Sequence, residues 1–268
     1  MISRRKKCLS LFVFFICAPF IFTAHATTFY GSVKTGLLQL KDTHYPVYIY
    51  VPKKYKAKRA YAFLMVLPGS KKSPEKYIKE WTRIADKKNL IVVMPSFAIR
   101  GEDVPYRTDE WLLKLKHDLT GRYLIDKGQV YLIGQEDQAH YAAYLAVQYP
   151  REFTGAALLG GAWSGPLEKL MHFSKRSRRQ VPVFVALLAK DSGWKVNAEK
   201  ADSLAKKGYK ISLKELVDNQ EIFSDKLRTA MLAWLETESR AHLLRVEQQE
   251  KTLGEKTRIN VEEFLAGR

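Results

Sequence analysis

The residues best suited to chemistry in this chain lie in Gly134-Gln135-Glu136-Asp137-Gln138, a polar tip between the strand-like run Gln129–Ile133 and the alanine-rich run Ala139–Tyr149. A strand that breaks at one glycine and passes straight into a helix builds a nucleophile elbow, where a sharp turn holds one side chain above the sheet. The elbow pattern reads G-x-S-x-G, but here the nucleophile position holds Glu136 and the closing glycine is replaced by Gln138. A carboxylate can attack an electrophile, so Glu136 is a candidate nucleophile; the other reading is an elbow that keeps its geometry without its reaction. Gln138 is expected to crowd the approach of helix to strand.

The elements that must hold this tip alternate along the chain. Phe29–Leu40 and Pro46–Pro52 read as strands joined by a turn at Lys41-Asp42-Thr43. The apolar runs Tyr61–Leu67, Leu90–Met94, Val130–Ile133, Ala156–Leu159, Val181–Leu187 and Ile211–Val217 follow, of a length that suits strands covered on both faces. Ser73-Pro74-Glu75 opens a helix, with Tyr77, Ile78, Trp81, Ile84 and Ala85 recurring as one buried stripe. Further helices are expected over Asp109–Tyr123, over Ala139–Gln148, over Asn197–Lys207 with Gly208 as its stop, and from Ser224 to about Glu250. This order predicts an α/β fold, a doubly wound and mainly parallel sheet in a single domain.

With 268 residues, 46% of them apolar and 12% aromatic, the chain can bury a sizeable core. Residues 1–26 combine a basic start, an apolar run from Leu9 to Phe22 and the small-x-small end Ala24-His25-Ala26. They read as a signal peptide cut after Ala26, which would place the mature protein in the periplasm or outside the cell. An uncleaved anchor is the alternative, although the run is short for a span and contains Pro19. Both cysteines, Cys8 and Cys17, would leave with the leader, so the mature core is expected to stand without a disulfide. Residues 27–246 are read as the folded domain and 247–268 as a charged C-terminal tail.

The formal charge is +17; without Arg4, Arg5, Lys6 and Lys7 of the leader, the 45 basic residues become 41 against 28 acidic ones, or +13. Much of the excess sits in two loops, Lys53, Lys54, Lys56, Lys58 and Arg59 in one and Lys175, Arg176, Arg178 and Arg179 in the other. Such loops are either plain solvated surface or a face for an anionic polymer or lipid surface. No zinc-finger spacing, RNA-binding aromatic motif or heptad accompanies them, so nucleic acid is not expected. No His-x-x-x-His, cysteine pair or calcium loop is present, and Glu102-Asp103 and Glu136-Asp137 are isolated pairs, so no metal or other cofactor is expected.

The run from Asp126 to Gly134, continuing through Ala142 to Tyr149-Pro150-Arg151-Glu152-Phe153 and Gly160-Gly161, resembles the α/β-hydrolase superfamily. Within it the chain is similar to secreted esterases of the polyhydroxybutyrate depolymerase and feruloyl esterase type, over about Pro46 to Leu235. The resemblance implies their fold, and it puts the triad acid at Asp191 and the nucleophile at Glu136. It puts the oxyanion donors at Gly69 and Ser70, with Pro68 where those esterases carry a histidine. The triad histidine should fall in Val217-Asp218-Asn219-Gln220-Glu221, which has none; after the elbow only His140, His172 and His242 remain. Ser96 and Ser164 sit at the ends of core strands, and the ligand pocket is expected to be lined by Ser70, Ser96, Gln135, Glu136, Asp137, Trp163 and Trp194. A protein that lost the serine and histidine would bind a small molecule or polymer rather than cleave an ester; an active esterase with a non-standard site is the alternative.

Overall fold

Strands of continuous apolar residues are forced into the middle of a sheet, and they are found there. In the computed structural model the described residues are 34–40, 43–70, 73–97, 106–173 and 180–266. The leader, the start of the first predicted strand, the second basic loop and Glu102-Asp103 lie outside them. The strands are β1 (Gly36–Leu40), β2 (Val47–Val51), β3 (Tyr61–Leu67), β4 (Leu90–Pro95), β5 (Ile125–Gln135), β6 (Gly155–Leu159), β7 (Val183–Leu188) and β8 (Ile211–Leu216). They form one eight-stranded sheet in the order β1-β2-β4-β3-β5-β6-β7-β8. The β1–β2 and β2–β4 pairs are antiparallel and every later pair is parallel. Every residue of β3, β4, β6 and β7 is buried, whereas the edge strands β1 and β8 keep partly exposed positions.

Helices cover both faces. The helices are α1 (Pro74–Ile78), α2 (Thr82–Lys88), α3 (Tyr106–Arg122), α4 (Ala139–Gln148), α5 (Trp194–Lys206), α6 (Asn219–Ile222) and α7 (Asp225–Ala266). Tyr61, Phe63, Met65 and Leu67 of β3 pack into one core with α3, α4 and α5, while Leu64 and Val66 pack into the other with α1, α2 and α7. The helix predicted from Ser73 is interrupted by a 3₁₀ turn at Lys79–Trp81 and ends at Asn89, whose φ of 56° reverses the chain. β5 starts earlier than its apolar stretch implied, because the Asp126 carboxylate accepts the Gly128 N–H (2.8 Å) and lets a polar segment join the sheet through a register shift. α7 does not stop near Glu250: it continues unbroken through the charged segment from Glu247 to Ala266.

Helix α4, which carries the tip, is clamped by a buried acid. Asp109 of α3 has no exposed surface and receives the hydroxyls of Tyr141 (2.6 Å), Tyr144 (3.0 Å) and Tyr149 (2.9 Å). Burial pushes its carboxyl above the usual range, and the three phenol donors oppose that shift.

Candidate functional site

At the end of β5 the backbone has to turn from strand to helix within Gly134–Gln138, and the sequence makes the turn possible by leaving out side chains. A Cβ on Gly134 would lie 2.5 Å from Ala142 Cβ, 2.6 Å from Gln138 O and 2.7 Å from Ala139 Cα. A Cβ on Gly161 would lie 2.5 Å from the Glu136 carbonyl oxygen. Gln138 was expected to crowd this approach; instead it is fully buried, and Gly134 and Gly161 supply the closeness that a closing glycine would have given. Glu136 itself sits at φ 48°, in the left-handed region that a long side chain rarely occupies. A non-glycine residue held there marks a strained turn fixed by its surroundings, as a nucleophile elbow requires.

Four of the residues expected in the site meet around this turn. A Cβ on Gly69, at the end of β3, would collide with the Glu136 carboxylate and lie 3.1 Å from Glu136 Cβ and 3.2 Å from Asp137 Oδ1. The Ser70 N–H donates to Asp137 Oδ1 at 2.9 Å. The glutamate therefore fills the space against Gly69, and the second acid occupies an amide expected to face an oxyanion. On the far side, a Cβ on Gly160 would lie 2.9 Å from Ile222 Cδ1 and 3.7 Å from Glu136 Cγ. Ile222 is buried and ends α6, which follows β8 and is N-capped by Asp218 accepting the Gln220 and Glu221 amides. Across from Glu136, the loop after β8 thus presents an aliphatic side chain.

The remaining expected residues each have contacts of their own. Gln135 is buried beneath the tip and donates to the Tyr77 hydroxyl. Tyr77 in turn touches the Arg228 guanidinium of α7, which lies 5.8 Å from the Tyr77 ring and 5.0 Å from the Trp81 ring and bonds Glu80. Ser96 is tied to the β2 side, its N–H donating to Pro46 O (2.7 Å). Trp163 is fully buried and, with Ala143, Phe173 and Tyr209, lines a cavity beneath α4 rather than an open pocket over Glu136. Asp191 lies exposed after β7, its backbone closing turns with Leu188 and Trp194, and Trp194 is the first residue of α5. Among the described residues Asp191 makes no side-chain bond to a histidine or to Glu136.

Among the described residues no histidine after the elbow hydrogen-bonds Asp191 or the Glu136 carboxylate. His172 is exposed and bonds Leu170 O through Nδ1 (3.0 Å), and His242 is buried in α7. His140 is the nearest in sequence, on the first turn of α4. Its ring packs where a Cβ on Gly165 would be 2.9 Å from Cγ, and its buried Nε2 has no hydrogen-bond partner. Burial pushes this imidazole below its usual range against the opposing pull of the Asp137 carbonyl and carboxylate. Ile222, Tyr77 and Asp109, which shape or support the site, had no signal of their own in the sequence, since Tyr77 and Asp109 read as ordinary helix residues and Ile222 falls between the last strand and the last helix.

Chemically, the tip offers two carboxylates and a backbone donor already taken by one of them, and among the described residues no histidine hydrogen-bonds either carboxylate. Stabilising an oxyanion needs N–H groups aimed at an empty position, and negative charge beside that position opposes it.

No protein-family model matches the chain, and no curated protein sequence does. Solved structures do. An S-formylglutathione hydrolase from Staphylococcus aureus superposes with a TM-score of 0.59 at 12% identity, over 76% of this chain and 100% of that one. An esterase from Rhizomucor miehei gives 0.59 at 12% identity over 78% and 87%. A ferulic acid esterase gives 0.58 at 15% identity over 77% and 99%. At such identities a likeness speaks for the backbone and not for the reaction. Together with the strand order and the left-handed residue after β5, it establishes that this chain has the α/β-hydrolase fold.

Proposed function

We propose that this protein is a catalytically silent member of the esterase-like folds, acting by binding a ligand or partner instead of cleaving an ester. The observation that carries the reading is the Asp137–Ser70 bond, which satisfies an oxyanion donor internally and sets a carboxylate where negative charge would have to develop. Glu136 in the serine position and Ile222 opposite it support the same reading, because a glutamate and an isoleucine do not make the hydroxyl–imidazole pair on which serine esterases depend. The second reading, hydrolysis with Glu136 as nucleophile, draws on the strained φ of that residue, which aims its side chain as a working elbow would. Hydrolysis of a short-chain chromogenic acetate by the purified protein and by Glu136→Ala separates the two. The silent reading expects both to stay at the buffer rate. Turnover by the parent that Glu136→Ala abolishes would overturn it.

The composition of residues 1–26 supports export, so the setting proposed is the periplasm or the cell exterior. Among the described residues no helix is long and apolar enough to cross a membrane. The N-terminal residue of the exported protein, read by Edman degradation or intact mass, tests this: a start at Thr27 is expected, and an intact Met1 would count against cleavage.

A further inference from the structure

In a parallel sheet all strand N-termini lie on one rim, and this rim gathers cations that the chain supplies from separate loops. The β2–β3 loop brings Lys53, Lys54, Lys56, Lys58 and Arg59, all exposed. The register of Ala62 with Leu90 sets Lys87 and Lys88, exposed at the end of α2, beside it. The Lys53 N–H donates to Asp86 Oδ1 (3.1 Å), fixing that loop to α2. Tyr61 pairs with Ile125, so Arg122 and Lys127 flank the same rim from the third connection. Here the Tyr61 N–H donates to Leu124 O (2.9 Å) and the Leu124 N–H donates to the Tyr55 hydroxyl (3.2 Å). Among the described residues none of these cations enters an ion pair. The opposite rim carries Glu136, Asp137, Asp191, Asp218 and Glu221 beside Lys190 and Lys195, whereas the nine cations of the strand-N-terminal rim stand with Asp86 and Asp126.

We infer that the strand-N-terminal rim is a docking surface for an anionic phospholipid bilayer, which would turn the Glu136 tip away from the lipid. Besides the charge, Leu124 is 46% exposed between Arg122 and Lys127, an apolar side chain set among cations as an interfacial anchor is. The rim is lysine-rich, which suits diffuse headgroup phosphates rather than planar, bidentate recognition. Its aromatic rings pack against one another, Tyr55 tilted on Tyr61 (4.7 Å) and edge-on to Tyr123 (5.8 Å), with Tyr61 and Tyr123 buried, so they offer no platform for nucleic-acid bases. This inference does not depend on whether the tip is silent.

The test is co-sedimentation of the full chain with vesicles of phosphatidylglycerol and phosphatidylcholine, against phosphatidylcholine alone. The change in excess binding to the anionic vesicles between the parent and a rim variant measures the rim, since the leader with Arg4, Arg5, Lys6 and Lys7 is common to all of them. At about fivefold per cation, changing Lys53, Lys54, Lys56, Lys58 and Arg59 together to Gln is expected to cut that excess at least about 100-fold at low salt. Raising the salt should have the same direction of effect. Leu124→Ser should lower it further without altering its salt dependence, and Lys190→Gln with Lys195→Gln, on the opposite rim, should leave it intact. All replaced side chains of the cation variant are exposed, and its circular dichroism should match that of the parent. Equal binding to both vesicle types, an excess that survives the quintuple change, or tighter binding to duplex DNA than to anionic vesicles would overturn the inference.

Discussion

Removing the Asp109 carboxylate is the sharpest probe of how the elbow helix is held. In Asp109→Ala the hydroxyls of Tyr141 and Tyr144, both buried, lose their shared acceptor, and the half-buried Tyr149 loses one as well. A buried polar group left without a partner costs about 1–3 kcal/mol. Tyr149 can turn to water and Tyr144 retains a further interaction, so the full penalty falls chiefly on Tyr141. With the small cavity added, the expected loss is about 3 kcal/mol. Asp109→Asn preserves size and one acceptor oxygen and is expected to lose less than about half of that. The pH dependence has a definite sign. The carboxyl is pushed above 3.8 in the folded state, so its stabilising contribution is full below that value and is lost as pH rises through the folded pKa. The stability advantage of the parent over Asp109→Asn should therefore shrink as pH rises from below 3.8 and then level off. Urea unfolding of the parent, both variants, Tyr141→Phe and the double variant Asp109→Ala/Tyr141→Phe gives the numbers. A loss under about 1 kcal/mol in Asp109→Ala, or a Tyr141→Phe penalty that is the same with and without Asp109, would refute the clamp.

Gly134→Ala should destabilise the fold by about 3 kcal/mol or more, because its Cβ would lie within 2.7 Å of backbone atoms of Gln138 and Ala139 that cannot swing aside; thermal unfolding checks this, and a shift of only a degree or two would mean the elbow is looser than it looks. His140→Gln should flatten the acid limb of the stability curve. The parent imidazole is held below 6.5 in the fold, so its contribution is present above that pH and is lost as pH falls through the folded pKa, an effect read by comparing unfolding midpoints of the two proteins between pH 7 and pH 5. Identical midpoint shifts in the two proteins would show that His140 is not the group concerned.

The alternation of apolar runs with amphipathic stripes was enough to predict the α/β class, since a strand such as Tyr61–Leu67, apolar throughout, has nowhere to go but the centre of a sheet. The polar half of β5 escaped that reading, because Asp126 and Gly128 join the sheet through a local side-chain bond that hydrophobic pattern does not encode. Length misled for the first helix, where a uniform stripe conceals the 3₁₀ turn at Lys79–Trp81, and for α7, whose charged end continues as helix.

The elbow divides in the same way. The sequence by itself determined that Gly134 precedes the turn, that the tip carries Glu136 and Asp137 rather than a serine, and that no histidine falls in the stretch Val217–Glu221 after β8. Only the tertiary structure decided that Glu136 adopts a left-handed backbone, that Asp137 takes the Ser70 amide, and that Ile222 and Gly69 enclose the glutamate from either side. It also tied the Ser96 amide to Pro46 and set Trp163 in the lining of the cavity beneath α4. The reason is one of range. Residue type and local spacing fix which backbone turns are possible, whereas the partner that fills a given ångström of space arrives from 67 positions away, as Asp137 does for Ser70, and is chosen only when the sheet closes.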